Sequence, residues 1–426
     1  MGMLSRLLQA FAGDVPGLTV VRYITFRAAM AAVTAFLIGV VIGPRAIRFL
    51  KAKKIGERGE KGDSRRLDEL HRRKRDTPTM GGVIILAAAL GSTLLWGAVL
   101  SSFFVQLVLV VTVLLAAIGF VDDRAKLTSG GRGLGARPKL ALEVLIGLGA
   151  GIALYAHYET ADFTAEASFA PEEVEARTAG VGARAATGEG VRAAGDGARA
   201  GDGARAGDAA GATAPRPREV ARGTSLYVPF FKRVAIGLGL GSILLAALVL
   251  VASANAVNLT DGLDGLAAGS SVFVLGVYLA VAYAVGRTDF AAYLHVPFVP
   301  GAGEAAVVAA AFLGACLAFL WFNCHPAEVF MGDTGSLPLG GAIGLLALVT
   351  KHELLLLIAG GVFVAEAGSV LLQVASFKLT GRRVFRCAPV HHHFEFRGLF
   401  ETKVTARAWI LGAILATLAL ATLKLR

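Results

Sequence analysis

The sequence predicts an all-α, polytopic integral membrane protein of about ten transmembrane helices, with both termini periplasmic and a functional face on the cytoplasmic side. Three observations carry this expectation. Of the 426 residues, 55% are hydrophobic and 17% charged, too little charge to cover a soluble particle of this size. Apolar stretches of roughly 17–25 residues recur along almost the whole chain, each long enough to cross a bilayer as a helix. The lysines and arginines crowd one alternating set of linkers, as the positive-inside rule describes.

In chain order the spans fall near 22–43, 80–100, 103–121, 139–158, 233–253, 266–285, 305–322, 337–350, 354–377 and 405–423. The first, from Val20 to Ile42, is too long for the apolar core of a signal peptide and reads as a retained helix. The second opens on Thr77-Pro78, a helix start that places proline where no backbone N–H is needed. The eighth is short for a full crossing, which tilt or local thinning accommodates. The linkers after spans 1, 3, 5, 7 and 9 share one face. Residues 44–79, 122–139 and 376–407, in and beside three of those linkers, hold 25 of the chain's 42 Lys and Arg. That face is therefore read as cytoplasmic. The net charge of +11 follows the same distribution and points to anionic lipid, with no nucleic-acid partner.

Between spans 4 and 5 lies an Ala/Gly/Arg/Asp tract with an imperfect "GARAGDGARAGD" repeat. It has almost no large apolar residues, so burial cannot offset the entropy of ordering it. Residues 165–222 are expected to be a disordered periplasmic insertion in a single transmembrane domain spanning 1–426. Its arginines leave the orientation unchanged, because long linkers translocate regardless of charge. The only cysteines, Cys316, Cys324 and Cys387, are odd in number and lack paired spacing, against a disulfide framework or a cysteine zinc site.

Five polar clusters border the cytoplasmic linkers. Asp122-Asp123 ends span 3; adjacent carboxylates there suit a shared metal or a ligand beside a base, or simply a solvated helix end with Arg124 and Lys126. Asn255, Asn258, Thr260, Asp261 and Asp264 lie within ten residues after span 5. A helix cap needs one such residue, not five, and Asp261 and Asp264 would share a face if helical. Asp333 stands between Gly332 and Thr334-Gly335 before span 8, with Phe330 just upstream. The place suits a carboxylate ligand beside backbone N–H groups that meet a phosphate, or an N-cap. His391, His392 and His393 cannot all face one ion from a regular helix, so donation to phosphate or sugar fits better than zinc. Lys74 and Thr79 open span 2, where an anion or mere positive-inside charge accounts for them. The run "GGRGLGA" lacks the strand–helix context of a dinucleotide site, and no P-loop motif is present.

Hard carboxylates, amides, Thr, Lys and His collected on one face suit Mg²⁺, which takes one or two protein carboxylates and phosphate oxygens. Embedded in a membrane, such a site implies a soluble phosphorylated donor and a lipid phosphate acceptor.

The motifs "TPTMGG", "VDD", "NAVNLTDGLDGLA", "FMGDTGSL" and "PVHHHFE" followed by "ETKVTARAWI" resemble, in the same order, those of the phospho-N-acetylmuramoyl-pentapeptide transferases. The resemblance runs from about Tyr23 to Trp409 outside the insertion. It implies ten membrane helices with both termini outside, a homodimer, and Mg²⁺. It also implies transfer of phospho-N-acetylmuramoyl-pentapeptide from its UDP-linked form to undecaprenyl phosphate, giving UMP and lipid I. Carried over, Asp333 is the metal ligand. Asp122, as base on the lipid phosphate, is a candidate catalytic residue together with Asp123, Asp264 and His391. Lys74, Thr79, Asn255, Asn258, Asp261, Phe330, His392 and His393 are candidate substrate contacts. Asp76 departs from the Gly common in the family and bears on how Lys74 sits. The alternative is a polyprenyl-phosphate N-acetylglucosamine-1-phosphate transferase, which shares the acidic loops but differs in the histidine loop. An anionic-solute transporter would place its ionisable groups at the midplane of internal repeats, and no repeat is seen.

Overall fold

The structure, a computed structural model, describes residues 2–10, 16–53, 77–128, 133–160, 223–231 and 234–424. Lys74 and the tract 165–222 lie outside them. The chain begins with α1 (Met3–Ala10) and a 3-10 turn (Pro16–Arg22), followed by α2 (Ile24–Ala52), α3 (Gly82–Trp96), α4 (Phe103–Thr128) and α5 (Ala136–Thr160). A two-stranded antiparallel hairpin of β1 (Ser225–Tyr227) and β2 (Ala235–Gly237) pairs Ser225 with Gly237. Then come α6 (Gly241–Thr260), α7 (Leu266–Val285), α8 (Thr288–Leu294), α9 (Gly303–Asn323), α10 (Asp333–Val349), α11 (Leu355–Ala359), α12 (Gly361–Thr380), α13 (Val390–Phe396) and α14 (Glu401–Thr422).

Eight of these helices, α2, α4, α5, α6, α7, α9, α12 and α14, are long and apolar enough to cross a membrane. The shorter apolar helices α3 and α10 occupy the second and eighth expected spans. The protein is all-α and polytopic.

Helix α10 explains its own shortness. At 1.5 Å per residue its 17 residues reach about 25 Å, yet every one of them is buried. It packs mainly against α4 and α6 and meets protein on all sides. Glycines make this possible. Gly340 and Gly344 lie against α6 at Ser253, Gly341 against Leu115 of α4, and Gly335 against Gly82 at the start of α3. In a bilayer, where lipid is as apolar as leucine, close backbone approach through small residues replaces the hydrophobic drive. The same device joins α2 to α9: Gly39 and Gly43 face Ala318 and the Phe322 ring, and Gly314 faces the Ala32 backbone. Outer helices keep apolar side chains exposed, among them Leu371 and Leu372 of α12 and Ile410, Leu411 and Ile414 of α14.

Several expected boundaries shift, each for a visible reason. Helix α4 runs on through Thr128, so Asp122 and Asp123 lie in its last turns rather than in a loop. The Asp122–Lys126 pair, one turn apart at 2.8 Å, supports that continuation. Helix α6 starts at Gly241, because 235–237 is strand, and it carries Asn255 and Asn258 inside the helix. Helix α10 starts at Asp333 itself. Gly360 separates α11 from α12 where one ninth span was expected. Asp261 and Asp264 fall in the turn between α6 and α7, not on a common helical face.

Candidate active site

The site is built around the first residues of α10. Gly332 precedes the helix with φ of 69°, a left-handed conformation open to glycine. A Cβ there would stand 2.7 Å from Asp123 Oδ2 and 2.9 Å from Thr79 Oγ1. The α10 start has no cap from its own sequence; Asp123 of α4 supplies one across the bundle. Its Oδ1 accepts the Asp333 N–H at 3.2 Å, and its Oδ2 accepts the Thr334 N–H at 2.9 Å and the Thr334 hydroxyl at 2.7 Å. A carboxylate at this place satisfies orphan donors and meets the positive end of the helix dipole. The N–H groups of 333 and 334, expected to meet a phosphate, are thus donated to Asp123.

Asp122, Asp123 and Asp333 each offer an oxygen within 4.8 Å of the others. Lys126 reaches into this trio, its Nζ at 2.8 Å from Asp122, 3.5 Å from Asp123 and 2.9 Å from Asp333. Lys139 of α5 pairs with Asp333 Oδ2 and stands 3.8 Å from Asp122. Asn258 donates to Asp333 Oδ1 at 2.9 Å and to Ser336 Oγ at 2.8 Å. Asp122 Oδ1 accepts the Leu134 N–H at 2.6 Å. The trio fits a divalent cation: the donors are hard oxygens, and the Lys126 ammonium already places positive charge among all three.

Around this centre stand the other predicted residues. Asp261 Oδ2 accepts the Gly332 N–H at 3.2 Å, tying the α6–α7 turn to the α10 start. Asn255 donates to the buried Glu143 of α5, one helical turn beyond Lys139. Phe330 links two segments through its backbone: its N–H donates to Pro78 at 2.8 Å, and its carbonyl accepts from Gly81 at 2.7 Å. Asp264 belongs to a separate group with His325 and Glu401. Its Oδ2 meets His325 Nδ1 at 3.0 Å and accepts the Ala327 N–H at 3.2 Å, while its own N–H donates to Glu401 at 2.6 Å.

The three histidines sit on α13 and diverge. His391 is buried, with Nδ1 2.9 Å from Glu366 of α12. His392 Nδ1 lies 2.7 Å from Glu395. His393 Nδ1 accepts the Arg386 N–H at 3.1 Å. Partial burial, with Arg397 and Arg386 nearby, lowers the His393 pKa below its ordinary value, in keeping with a neutral, accepting ring.

The structure thus gathers Asp122, Asp123, Asp333, Asn258 and Thr79 at one point. It sets Asp261 beside them and keeps Asp264, His391, His392 and His393 on neighbouring elements. Lys126 entered the sequence reading only as support for a helix end, and Lys139, Glu143, Glu366, His325 and Glu401 carried no role there. The position of Lys139, at the start of an apolar helix on the functional face, was the one available signal.

Residues 218–351 match the profile of Glycosyl transferase family 4, and residues 74–86 match phospho-N-acetylmuramoyl-pentapeptide-transferase signature 1. Over 427 aligned positions, covering both chains in full, the protein is 41% identical to the phospho-N-acetylmuramoyl-pentapeptide-transferases of Geobacter sp. strain M21 and of Citrifermentans bemidjiense. It is 42% identical over 409 positions to that of Syntrophus aciditrophicus, covering 96% of this chain and 95% of the relative.

Proposed function

The chain belongs to the phospho-N-acetylmuramoyl-pentapeptide-transferase family, and on that premise we propose how it works. It is a multi-pass transferase of the bacterial inner membrane. It moves phospho-N-acetylmuramoyl-pentapeptide from the UDP-linked donor to undecaprenyl phosphate, releasing UMP. A lipid phosphate oxygen forms a bond to the phosphorus that carries the sugar, and the bond from that phosphorus to UMP breaks. The observation that carries this reading is the meeting of Asp122, Asp123 and Asp333 at the start of α10.

Asp333 would hold Mg²⁺, which supplies countercharge to the donor's phosphates. Asp123, whose oxygens take three donors from the α10 start, positions Asp333. Asp122 takes the proton from the lipid phosphate. Lys126 and Lys139 stabilise the negative charge that gathers on the phosphates. Asn255, Asn258, Asp261 and Phe330 belong to the nucleotide-sugar side. Thr79, His392 and His393 belong to the phosphate and sugar contacts, as does Lys74 by its sequence position, and Asp264 acts from the group beside them. The site lies on the cytoplasmic face, both termini lie outside, and the protein works as a homodimer.

A purified-enzyme assay offering UDP-N-acetylmuramoyl-pentapeptide and UDP-N-acetylglucosamine separately tests the reading. UMP release with the first donor alone, dependent on undecaprenyl phosphate, is expected. Turnover only with UDP-N-acetylglucosamine would overturn it in favour of the related transferase. Chelation should stop UMP release and added Mg²⁺ restore it; unchanged release in chelator would remove the metal from the scheme.

A further inference from the structure

His391 and Glu366 form a buried pair that the steps above do not use. Both side chains are closed to solvent, at 1% and 4% exposure. Glu366 Oε2 takes two contacts from the histidine, its ring Nδ1 at 2.9 Å and its backbone N–H at 3.3 Å. An ionised carboxylate only accepts, so Nδ1 carries a proton and donates it. Among the described residues His391 is the one basic side chain paired with Glu366. The other ring nitrogen, Nε2, is buried with no hydrogen-bond partner. It abuts the backbone of Gly262, where an added Cβ would run into it. Gly262 follows Asp261, which is itself bonded to the residue before Asp333. A buried polar atom left without a partner is costly, and a contact to the phosphate as it reacts removes that cost.

We infer that Glu366 is a positioning residue for the transfer: it clamps the His391 ring so that Nε2 is presented at the Asp261–Asp264 turn as an N–H donor to an anionic phosphate oxygen of the nucleotide-sugar. Three features of the geometry set this role. The double contact to Oε2 fixes both the ring and the start of α13. The carboxylate charge is balanced when the ring carries both protons, the arrangement in which Nε2 donates. The absence of a side chain at Gly262 lets the ring edge reach the turn. A carboxylate behind a histidine acts in this way when it fixes the ring's tautomer and stabilises its protonated form.

This inference rests on the reading of the site as a phosphate-transfer centre, and the experiment separates the two. Glu366→Gln keeps the size and removes the charge. It is expected to lower kcat about 10- to 100-fold while KM for UDP-N-acetylmuramoyl-pentapeptide stays within about threefold, the mark of an interaction made in the transition state. Nitrogen-15 spectra of histidine-labelled protein, with His391 assigned by its loss in His391→Asn, should show both ring nitrogens protonated in the parent and only one in Glu366→Gln. Glu366→Asp, which withdraws the carboxylate by one methylene, should give the same kinetic signature. A Glu366→Gln enzyme with near-parental kcat, or one with an unchanged His391 spectrum, would overturn the positioning role. Full turnover by His391→Asn would likewise overturn the inference, whereas the underlying reading stands or falls separately, on UMP release in the two-donor assay.

Discussion

Asp122 and Asp123 are chain neighbours with different partners, and substitution should separate them. Asp123 gives its oxygens to the N–H groups of Asp333 and Thr334 and to the Thr334 hydroxyl. Asp123→Ala removes a cap and should cost about 1 kcal/mol as well as activity, seen as a lower thermal midpoint in detergent. Asp122 faces Lys126 and the Leu134 N–H. Asp122→Asn should abolish turnover with little change in that midpoint. Asp333→Asn should likewise abolish Mg²⁺-dependent turnover while the protein stays folded; near-normal rates would remove Asp333 from the metal site. At this scale much was legible. Acids and amides at the ends of membrane-length helices are costly there and stand out by type alone. Lys139 was not legible, because one lysine among many on a cytoplasmic face looks like topology, and its partner Asp333 is 194 residues away. Glu366 was hidden in the same way, inside an apolar run with nothing local to mark its histidine.

The long apolar elements were readable in order, because apolar length is a strong signal. Their ends were less so. Asp122 and Asp123 read as the polar stop after a span, yet α4 continues to Thr128 because Lys126 pairs with acids one turn back. The short α10 looked like a marginal crossing. Its length makes sense once its neighbours are known, and glycine spacing alone did not name them. The α3–α10 contact yields a prediction. A Cβ on Gly82 would strike the backbone of Gly335, which a rotamer change cannot relieve. Gly82→Ala should therefore destabilise the protein by about 1–3 kcal/mol and reduce turnover by shifting the α10 start. An unchanged thermal midpoint would show that the two helices are free to separate there.

For the whole molecule, the cysteines report which way the bundle faces. Cys324 is exposed at the end of α9 on the functional face, Cys387 is partly exposed, and Cys316 is buried. A membrane-impermeant thiol reagent should label Cys324 and Cys387 in inside-out vesicles and spare them in spheroplasts; the reverse pattern would invert the topology. Deletion of 170–220, assigned from composition to the opposite face, should leave turnover largely intact. A collapse in activity at normal expression would give that tract a role. The enclosure of α10 has a further result. Its residues meet only protein, so Asp333 hangs from an element that no acyl chain touches. Changes in bilayer thickness or fluidity press on α12 and α14 and on the outer faces of α4 and α6, whose apolar side chains face outward, and reach Asp333 only through those packed helices. The rate should then follow the supply of lipid phosphate rather than the mechanics of the surrounding bilayer.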